Sequence, residues 1–217
     1  RSTQSRSSAA SDVYKRQALE RNKDVCSAIR KANYEVASHG WRWIDYQNVS
    51  KKKEKNDMKL AVKSIKKIFG YQPAGWYTGR CSTNTLDLVI DNGNFLYCSD
   101  TYSDDLPYWI KKGGKKQLMV PYTLDNNDMR FATNQGFNSG DQFYNYIKDS
   151  FDALYEEGKT STKMMSVGLH CRLVGKPGRL KSLEKFLDYV LKHDDVWICK
   201  RIDIAKHLYL IHISEPT

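Results

Sequence analysis

Residues that can bind ligands or transfer protons follow one short strand near the start of the chain. Residues 34–37 predict this strand, and it ends at His39-Gly40, where glycine permits a sharp turn. Residues 39–46 then supply an imidazole, two indoles, a guanidinium, a carboxylate and a phenol. Such groups at the end of a strand fit the mouth of an α/β fold. Taken alone, the stretch leaves a second interpretation open, in which Trp41 and Trp43 are packed core residues and His39 is a buried, hydrogen-bonded histidine.

The same arrangement recurs along the chain. The ionisable residues that follow predicted strands are His39, Arg80, Asp100, Asp125 and His170. The carboxyl ends of parallel strands meet at one face, so these residues predict a functional face there. Five strand ends that all carry ionisable groups are difficult to explain by packing alone.

Alternating strand and helix patterns predict the α/β class with a (β/α) barrel. Strands are predicted at residues 34–37, 73–78, 95–99, 118–122, 163–169 and 196–199. Helices are predicted at residues 18–32, 51–69, 83–90, 141–157, 180–193 and 201–208, and residues 101–117 are predicted to form a polar loop. Ser50 is the predicted N-cap of the second helix, and Gly70 is its predicted stop.

Composition narrows the class of protein. The 217 residues suffice for one domain with a full core, and 40% apolar and 28% charged residues are ordinary for a globular protein. The five cysteines are scattered and form no CxxC pair, which predicts free thiols and a cytoplasmic location. No apolar run is long enough to span a membrane, so no membrane association is expected.

The net charge of +10 raises the alternative of nucleic-acid binding. The lysines, however, form runs such as residues 51–55 and 111–116, which are typical of solvated faces. Residues 1–17 and 210–217 resemble translated sequencing adapters, and without these two ends the net charge is about +8. We therefore expect no nucleic-acid partner, disordered non-native tails at 1–17 and 210–217, and a catalytic domain at 18–209.

Seven blocks of sequence carry a resemblance to a known family. They are Ser38-His39-Gly40-Trp41-Arg42-Trp43-Ile44-Asp45-Tyr46-Gln47, Gly75-Trp76-Tyr77-Thr78-Gly79-Arg80, Ser99-Asp100-Thr101-Tyr102, Asp104-Asp105-Leu106-Pro107-Tyr108-Trp109, Pro121-Tyr122-Thr123-Leu124-Asp125, Asn127-Asp128-Met129-Arg130-Phe131 and Gly168-Leu169-His170-Cys171-Arg172. Over residues 18–209 the chain resembles the allantoinases of the polysaccharide-deacetylase (NodB-like) superfamily. The resemblance implies a deformed (β/α) barrel and a hydrolase of purine and ureide catabolism, which opens the hydantoin ring of allantoin to give allantoate.

Two departures from the superfamily pattern bear on the chemistry. Deacetylases of this superfamily usually carry His-x-x-x-His in the first block and bind a divalent metal with both imidazoles. Here the position four residues after His39 is Trp43, and an indole does not ligate zinc. No metal or other cofactor is therefore expected, with a divalent metal on His39, the one matching ligand, kept as an alternative. The acidic first motif is absent as well, which predicts a barrel incomplete at its N-terminus and no measurable ring opening by residues 1–217 alone.

Two histidines are the predicted catalytic residues, and they have different roles. His170 matches the catalytic histidine of the family and is the predicted acid, because an imidazole titrates near neutral pH. His39 is predicted to orient the water or to bind the substrate. Cys171, next to His170, is expected to be a packed thiol, since adjacent strand side chains point in opposite directions.

Substrate binding is predicted for eight further residues. Arg80 presents a planar fork of donors for a carbonyl, and Asp100 either orients Arg80 or accepts N–H groups of a ureide. Of the remaining six, Trp41, Trp43 and Trp109 are predicted to wall the flat heterocycle. Asn127, Asp128 and Arg130 are predicted either to contact ureido groups or to order their own loop.

Three alternatives stay open beside a cyclic-amide hydrolase with a small-molecule substrate. The first is a metal-dependent deacetylase of N-acetylated sugars, the second a basic nucleic-acid-binding module, and the third a catalytically inactive fragment. Assembly into a homo-oligomer is also left open.

Overall fold

The computed structural model describes residues 11–14 and 16–214 of the 217-residue chain. The chain divides into two compact units. Unit 1 takes in Arg1–Thr101, Pro107–Val120 and Ile198–Thr217, and unit 2 takes in Tyr102–Leu106 and Pro121–Trp197.

Unit 1 contains a six-stranded sheet. Its strands are β1 (Ser11–Tyr14), β2 (Glu35–Ser38), β3 (Gly75–Trp76), β4 (Tyr97–Cys98), β5 (Tyr108–Lys112) and β6 (Lys115–Met119). The spatial order is β1-β2-β3-β4-β6-β5, and every pair is parallel except β5 with β6. The helices are α1 (Arg16–Arg21), α2 (Lys23–Lys31), α3 (Lys51–Phe69), α4 (Thr85–Asn92), α5 (Gly140–Glu157), α6 (Cys171–Val174), α7 (Pro177–Val190) and α8 (Arg201–Ser214), with a 3₁₀ helix over Asp128–Ala132. The predicted α/β class is confirmed.

The carboxyl ends of the parallel strands in unit 1 are in register. Ser38 pairs with Trp76, Trp76 with Cys98, and Cys98 with Met119. Residues that come directly after these positions therefore lie along one edge of the sheet. The register thus places His39 after β2 and Asp100 after β4 along this edge, and their function stays a prediction.

Helix α3 shows how local sequence sets an element. The Ser50 hydroxyl accepts the Lys53 N–H at 3.4 Å, and Gly70 ends the helix with a φ of 85°. Met58 and Ile65 on its inner face are buried and join two separate core clusters of unit 1. Burial of such side chains contributes about 1.5–3 kcal/mol each. The predicted N-cap and stop of this helix are confirmed.

Helix α8 begins against the sheet of unit 1. The Ile202 N–H donates to the Glu35 carboxylate at 2.9 Å, and the same carboxylate accepts the Tyr97 hydroxyl at 2.6 Å. Arg201 Nη1 donates to the Val120 carbonyl at 3.0 Å. Glu35 and Tyr97 are both buried, so these hydrogen bonds satisfy polar groups that water does not reach.

Unit 2 is organised around aromatic side chains of α5 and α7. Phe143, Ile147 and Phe151 are buried at four-residue spacing along one face of α5. Phe151 meets the Phe186 ring of α7 edge to face, with 6.2 Å between the ring centroids. The contact fixes α7 against α5 within this unit.

The predicted loop at 101–117 is wrong, because it contains a β-hairpin. Strand β5 pairs antiparallel with β6 across Gly113-Gly114, and both glycines have positive φ angles of 56° and 75°. A two-glycine turn of this kind matches the twist of the strands that it joins. Lysines on both sides of the turn made the segment resemble a solvated loop.

Two predicted strands are absent from the part of the chain that the structure describes. Residues 163–169 form only an isolated bridge, between Gly168 and Asn127, and residues 196–199 form no ladder. A short apolar run indicates burial but does not by itself indicate a pairing partner. The predicted helix at 18–32 is divided into α1 and α2, because the Asn22 side chain caps α2 by accepting the Val25 N–H at 3.2 Å.

The ends of the chain differ from expectation where they are described. Ser11–Tyr14 forms β1, paired with β2, and α1 begins at Arg16, so the predicted disorder of residues 1–17 is wrong for these positions. At the other end, α8 continues through Ser214, beyond the predicted end at residue 208. The remaining residues of both predicted tails lie outside the described residues. Within the described residues, no helix combines the length and the apolar character needed to cross a membrane.

Candidate active site

His39 directly follows β2 in unit 1. Its half-buried ring lies 5.0 Å from the Tyr77 ring, measured between centroids, and Gly40 makes the expected turn with a φ of 71°. The Ser38 carbonyl accepts the Tyr77 N–H at 2.9 Å, which joins the His39 turn to the end of β3. The imidazole is thus held at the carboxyl edge of the sheet beside an aromatic ring.

The Asp100 carboxylate follows β4 and is enclosed by the turn after β3. Its Oδ1 accepts the N–H groups of Thr78 at 2.9 Å and Gly79 at 2.8 Å. The Thr78 hydroxyl also donates to this carboxylate and in turn accepts the Trp76 Nε1–H at 2.9 Å. Gly79 has a φ of 75°, which favours glycine at this position. Asp100 therefore holds the turn of residues 78–80, and of its two predicted roles the geometry supports orienting Arg80 over binding ureido N–H groups.

Burial shifts the acidity of Asp100. Desolvation of the carboxylate raises its pKa from 3.8 to about 6, and the N–H groups of Gly79 and Thr78 oppose the shift by stabilising the charged form. A nearby buried carboxylate, Glu54, raises the pKa further. Asp100 thus changes charge close to physiological pH.

This shift predicts a pH-dependent stability. Because the folded pKa is raised, the folded state keeps a proton that the unfolded state loses, and stability falls as the pH rises from about 4 to about 6. In Asp100→Asn, the amide oxygen can still accept both N–H groups, and this fall disappears. We expect the free energy of unfolding of the wild type, minus that of the variant, to fall by about 3 kcal/mol over this window in urea titrations. A difference that stays constant with pH would contradict the assignment, and exposed Asp194→Asn serves as the control.

Arg80 is the last residue of the same turn, and its side chain lies over an exposed indole. Its Cζ is 5.1 Å from the centroid of the Trp43 ring, and Trp43 is 55% exposed. The Arg80 carbonyl accepts the Tyr46 N–H at 3.1 Å, and the Tyr46 hydroxyl donates to Asp57 at 3.2 Å. The loop that carries Trp43 and the turn that carries Arg80 are thus joined through both backbone and side chain.

Trp41 and Trp109, which are also predicted to contact the substrate, pack against other parts of the protein. Trp41 is partly buried against the core cluster that contains Met58 and Trp76. Trp109 lies within β5, and its ring meets the Tyr209 ring edge to face at 4.8 Å. The geometry supports the packing interpretation for Trp41 and Trp109, and it leaves Trp43 as the tryptophan suited to contact a ligand.

A histidine–carboxylate pair forms within unit 2. His170 Nδ1 lies 2.6 Å from Asp128 Oδ1, and the His170 N–H donates to Asp128 Oδ2 at 2.7 Å. Asp128 Oδ2 also accepts the Val174 N–H at 3.0 Å, and the carboxylate is fully buried. The His170 side chain is 26% exposed. The carboxylate fixes the ring through Nδ1 and leaves Nε2 to act on a substrate.

Asp128 and Asn127 are placed differently from their predicted substrate-binding role. Every contact of Asp128 described above is to its own unit, and no surface of this residue is exposed. Asn127 is also buried; its Nδ2 donates to the Tyr122 hydroxyl and the Thr123 carbonyl, and its Oδ1 accepts the Met129 N–H. The geometry contradicts substrate contact by Asn127 and Asp128 and supports the other predicted role, ordering of their own loop, because buried side chains with engaged polar atoms do not reach a ligand.

Arg130 is held by its own loop. Its Nη1 lies 3.4 Å from Asp125 Oδ1, and its guanidinium covers the rings of Phe137 at 4.8 Å and Tyr146 at 4.3 Å. Tyr146 also donates a short hydrogen bond to the same carboxylate. These contacts support the second of its predicted roles, which is ordering the loop.

The residues around His39 do not fit a divalent metal. Trp43 stands where the superfamily pattern has the second imidazole, and the Arg80 cation lies over it. A guanidinium next to a divalent cation is repelled by it. In the part of the chain that the structure describes, no three His, Cys, Asp or Glu side chains are grouped so that they could hold a metal.

Sequence reasoning missed the role of Thr78. It connects the indole of Trp76 to the Asp100 carboxylate through one hydroxyl and one N–H group. A polar residue before a glycine at a strand end was the available signal. It did not show which distant carboxylate the residue would meet.

Comparison with known proteins places this geometry in a family. Residues 12–92 match the family model described as polysaccharide deacetylase. The chain is 42% identical over 207 residues to the Schizosaccharomyces pombe protein named "Putative polysaccharide deacetylase", covering 88% of this chain. It spans 65% of the length of that curated relative.

Two solved structures are similar in both sequence and fold. A probable polysaccharide deacetylase from Pseudomonas aeruginosa PAO1 is 50% identical, with a TM-score of 0.87 over 93% of this chain and 67% of that one. The crystal structure of PuuE allantoinase is 48% identical, with a TM-score of 0.88 over 94% of this chain and 67% of that one.

The parallel strands and their edge of ionisable residues define a NodB-like α/β fold, as expected for a deformed (β/α) barrel. The chain belongs to the polysaccharide deacetylase family.

Proposed function

We propose that this protein hydrolyses a carbon–nitrogen bond of a cyclic amide and opens the hydantoin ring of allantoin to allantoate. The His170–Asp128 pair carries the proposal, since it is a proton-transfer group of fixed orientation. The seven sequence blocks and the 48% identity to a structure named allantoinase support this substrate class.

Ring opening adds one water molecule across the amide bond. The water oxygen joins the carbonyl carbon and the carbon–nitrogen bond breaks. One proton of the water balances the proton that the leaving nitrogen gains, and the other is released when the new carboxylic acid ionises. His170 supplies the proton of the leaving nitrogen from Nε2, while the buried Asp128 carboxylate keeps the other imidazole proton on Nδ1 and stabilises the imidazolium. His39 orients the water or the ring, and Arg80 binds the carbonyl oxygen.

The chief alternative is the release of acetate from an N-acetylated sugar. The names of the yeast and Pseudomonas relatives favour it. The replacement of the second metal-binding histidine by Trp43 disfavours it, because metal-dependent deacetylation relies on both imidazoles.

One pair of assays separates the two functions. A pH-stat follows allantoin, because each ring opened creates an ionised carboxylate, and an acetate assay follows N-acetylglucosamine oligomers. Each assay is run with and without a chelator, on residues 1–217 and on the chain extended to the length of its relatives. We expect the extended chain to open allantoin despite chelation and to release no acetate. We expect residues 1–217 alone to be inactive. Chelator-sensitive acetate release without consumption of allantoin would establish the alternative.

His170→Gln tests the proton-transfer role. We expect kcat for allantoin to fall by about 10²–10⁴, because the general acid is lost. His207→Gln, which changes an exposed histidine of α8, is the matched control and should keep wild-type kcat. Equal rates for the wild type and His170→Gln would remove His170 from the mechanism.

A further inference from the structure

We propose that Trp43 is the positioning residue of Arg80, and that the guanidinium seated on this indole binds the substrate carbonyl oxygen in place of a metal ion. The inference rests on the proposed function and concerns how that function does without a second metal-binding histidine.

The stacking geometry leaves the right atoms available. Arg80 Cζ lies 5.1 Å from the Trp43 ring centroid, which is within the range of a cation–π contact. A guanidinium that stacks uses its flat face, while its N–H donors point outward in the plane of the group. Those donors match a carbonyl oxygen that gains negative charge during ring opening.

The backbone of Arg80 is fixed from both sides. Before it, the N–H groups of Thr78 and Gly79 donate to Asp100. On its C-terminal side, the Arg80 carbonyl accepts the N–H of Tyr46, which lies three residues beyond Trp43. The two segments therefore cannot separate without breaking hydrogen bonds.

The exposure of Trp43 agrees with a role in the site. Trp76 has its indole in the core, and Trp41 packs against that core, whereas Trp43 is 55% exposed. Packing therefore does not require an indole at position 43. A flat aromatic surface holds a stacked guanidinium in one orientation.

The kinetic test uses the chain extended to the length of its relatives. We expect Trp43→Phe to keep kcat/KM for allantoin within about threefold, because a phenyl ring still seats the cation. Trp43→Ala should lower kcat/KM by about 10-fold to 100-fold, and Arg80→Lys should do the same because it keeps the charge and loses the fork. Trp197→Ala changes a residue of similar exposure, 53%, and should match the wild type.

A spectroscopic test on residues 1–217 is independent of turnover. The Arg80 Nε–H resonance should carry the ring-current shift of Trp43 and lose it in Trp43→Ala. Added hydantoin should shift this resonance saturably in the wild type and in Trp43→Phe, with binding at least about 10-fold weaker in Trp43→Ala.

The outcomes separate the two proposals. An active wild type whose Trp43→Ala variant has unchanged kcat/KM overturns the inference and leaves the proposed function in place. A wild type that does not open allantoin overturns the proposed function, and hydantoin binding at Arg80 then decides the inference. Equal hydantoin binding by the wild type and Trp43→Ala, or no binding by either, overturns it.

Discussion

Asp128→Ala is expected to lower the free energy of unfolding by about 3–5 kcal/mol, measured by urea titration of residues 1–217. The carboxylate is fully buried and accepts the His170 N–H, the His170 ring and the Val174 N–H. Alanine fills none of these roles, so two backbone N–H groups and one imidazole nitrogen lose their acceptor. Asp194→Asn, at an exposed position, should change stability by no more than about 0.5 kcal/mol.

Asp128→Asn separates the catalytic role from the structural one. With its oxygen at the Oδ2 position, the amide keeps both backbone N–H groups and turns its NH₂ toward His170 Nδ1. The His170 proton then moves to Nε2, so the neutral imidazole has the wrong tautomer. We expect Asp128→Asn to lose less stability than Asp128→Ala. In the chain extended to the length of its relatives, we expect kcat for allantoin to fall by about 10³–10⁴. Wild-type kcat together with a switched tautomer, read from ¹⁵N shifts of His170, would show that Nδ1 protonation is not needed.

Gly75→Ala is expected to destabilise the chain by about 3 kcal/mol through overpacking. An added Cβ would lie 2.1 Å from Cζ of Tyr97, the residue that pairs with Gly75 in the sheet. The Tyr97 ring cannot swing away, because it is 1% exposed and its hydroxyl donates to Glu35 at 2.6 Å. The close approach of β3 to this ring therefore requires glycine.

Gly178→Ala provides the matched control for this overpacking. Its added Cβ meets no atom within 4 Å, and the residue lies in the first turn of α7. Alanine should stabilise this helix by up to about 1 kcal/mol. If the two variants have the same midpoint of urea unfolding, the contact with Tyr97 is not the cause.

The sequence by itself determined what depends on neighbours along the chain. Ser50 and Gly70 delimit α3 because capping uses backbone groups within three or four residues. His39, Arg80, Asp100 and His170 were found as candidates because a polar residue after an apolar strand is a local pattern. The hairpin of β5 and β6 was also local in its Gly113-Gly114 turn, but the lysines beside it hid the strand pattern.

Only the tertiary structure decided which candidate meets which. Asp128 and His170 are 42 residues apart, and Asp100 meets the turn of Thr78 and Gly79 from 22 and 21 residues away. No spacing rule fixes such pairs, because they depend on the register of strands and on the side to which each loop turns. Burial decided the rest: it makes Asp128 a support for His170, and it raises the pKa of Asp100 to about 6. The sequence identifies the groups that can do chemistry. Desolvation and non-local hydrogen bonds decide which of these groups position a neighbouring residue and which remain available to contact a substrate.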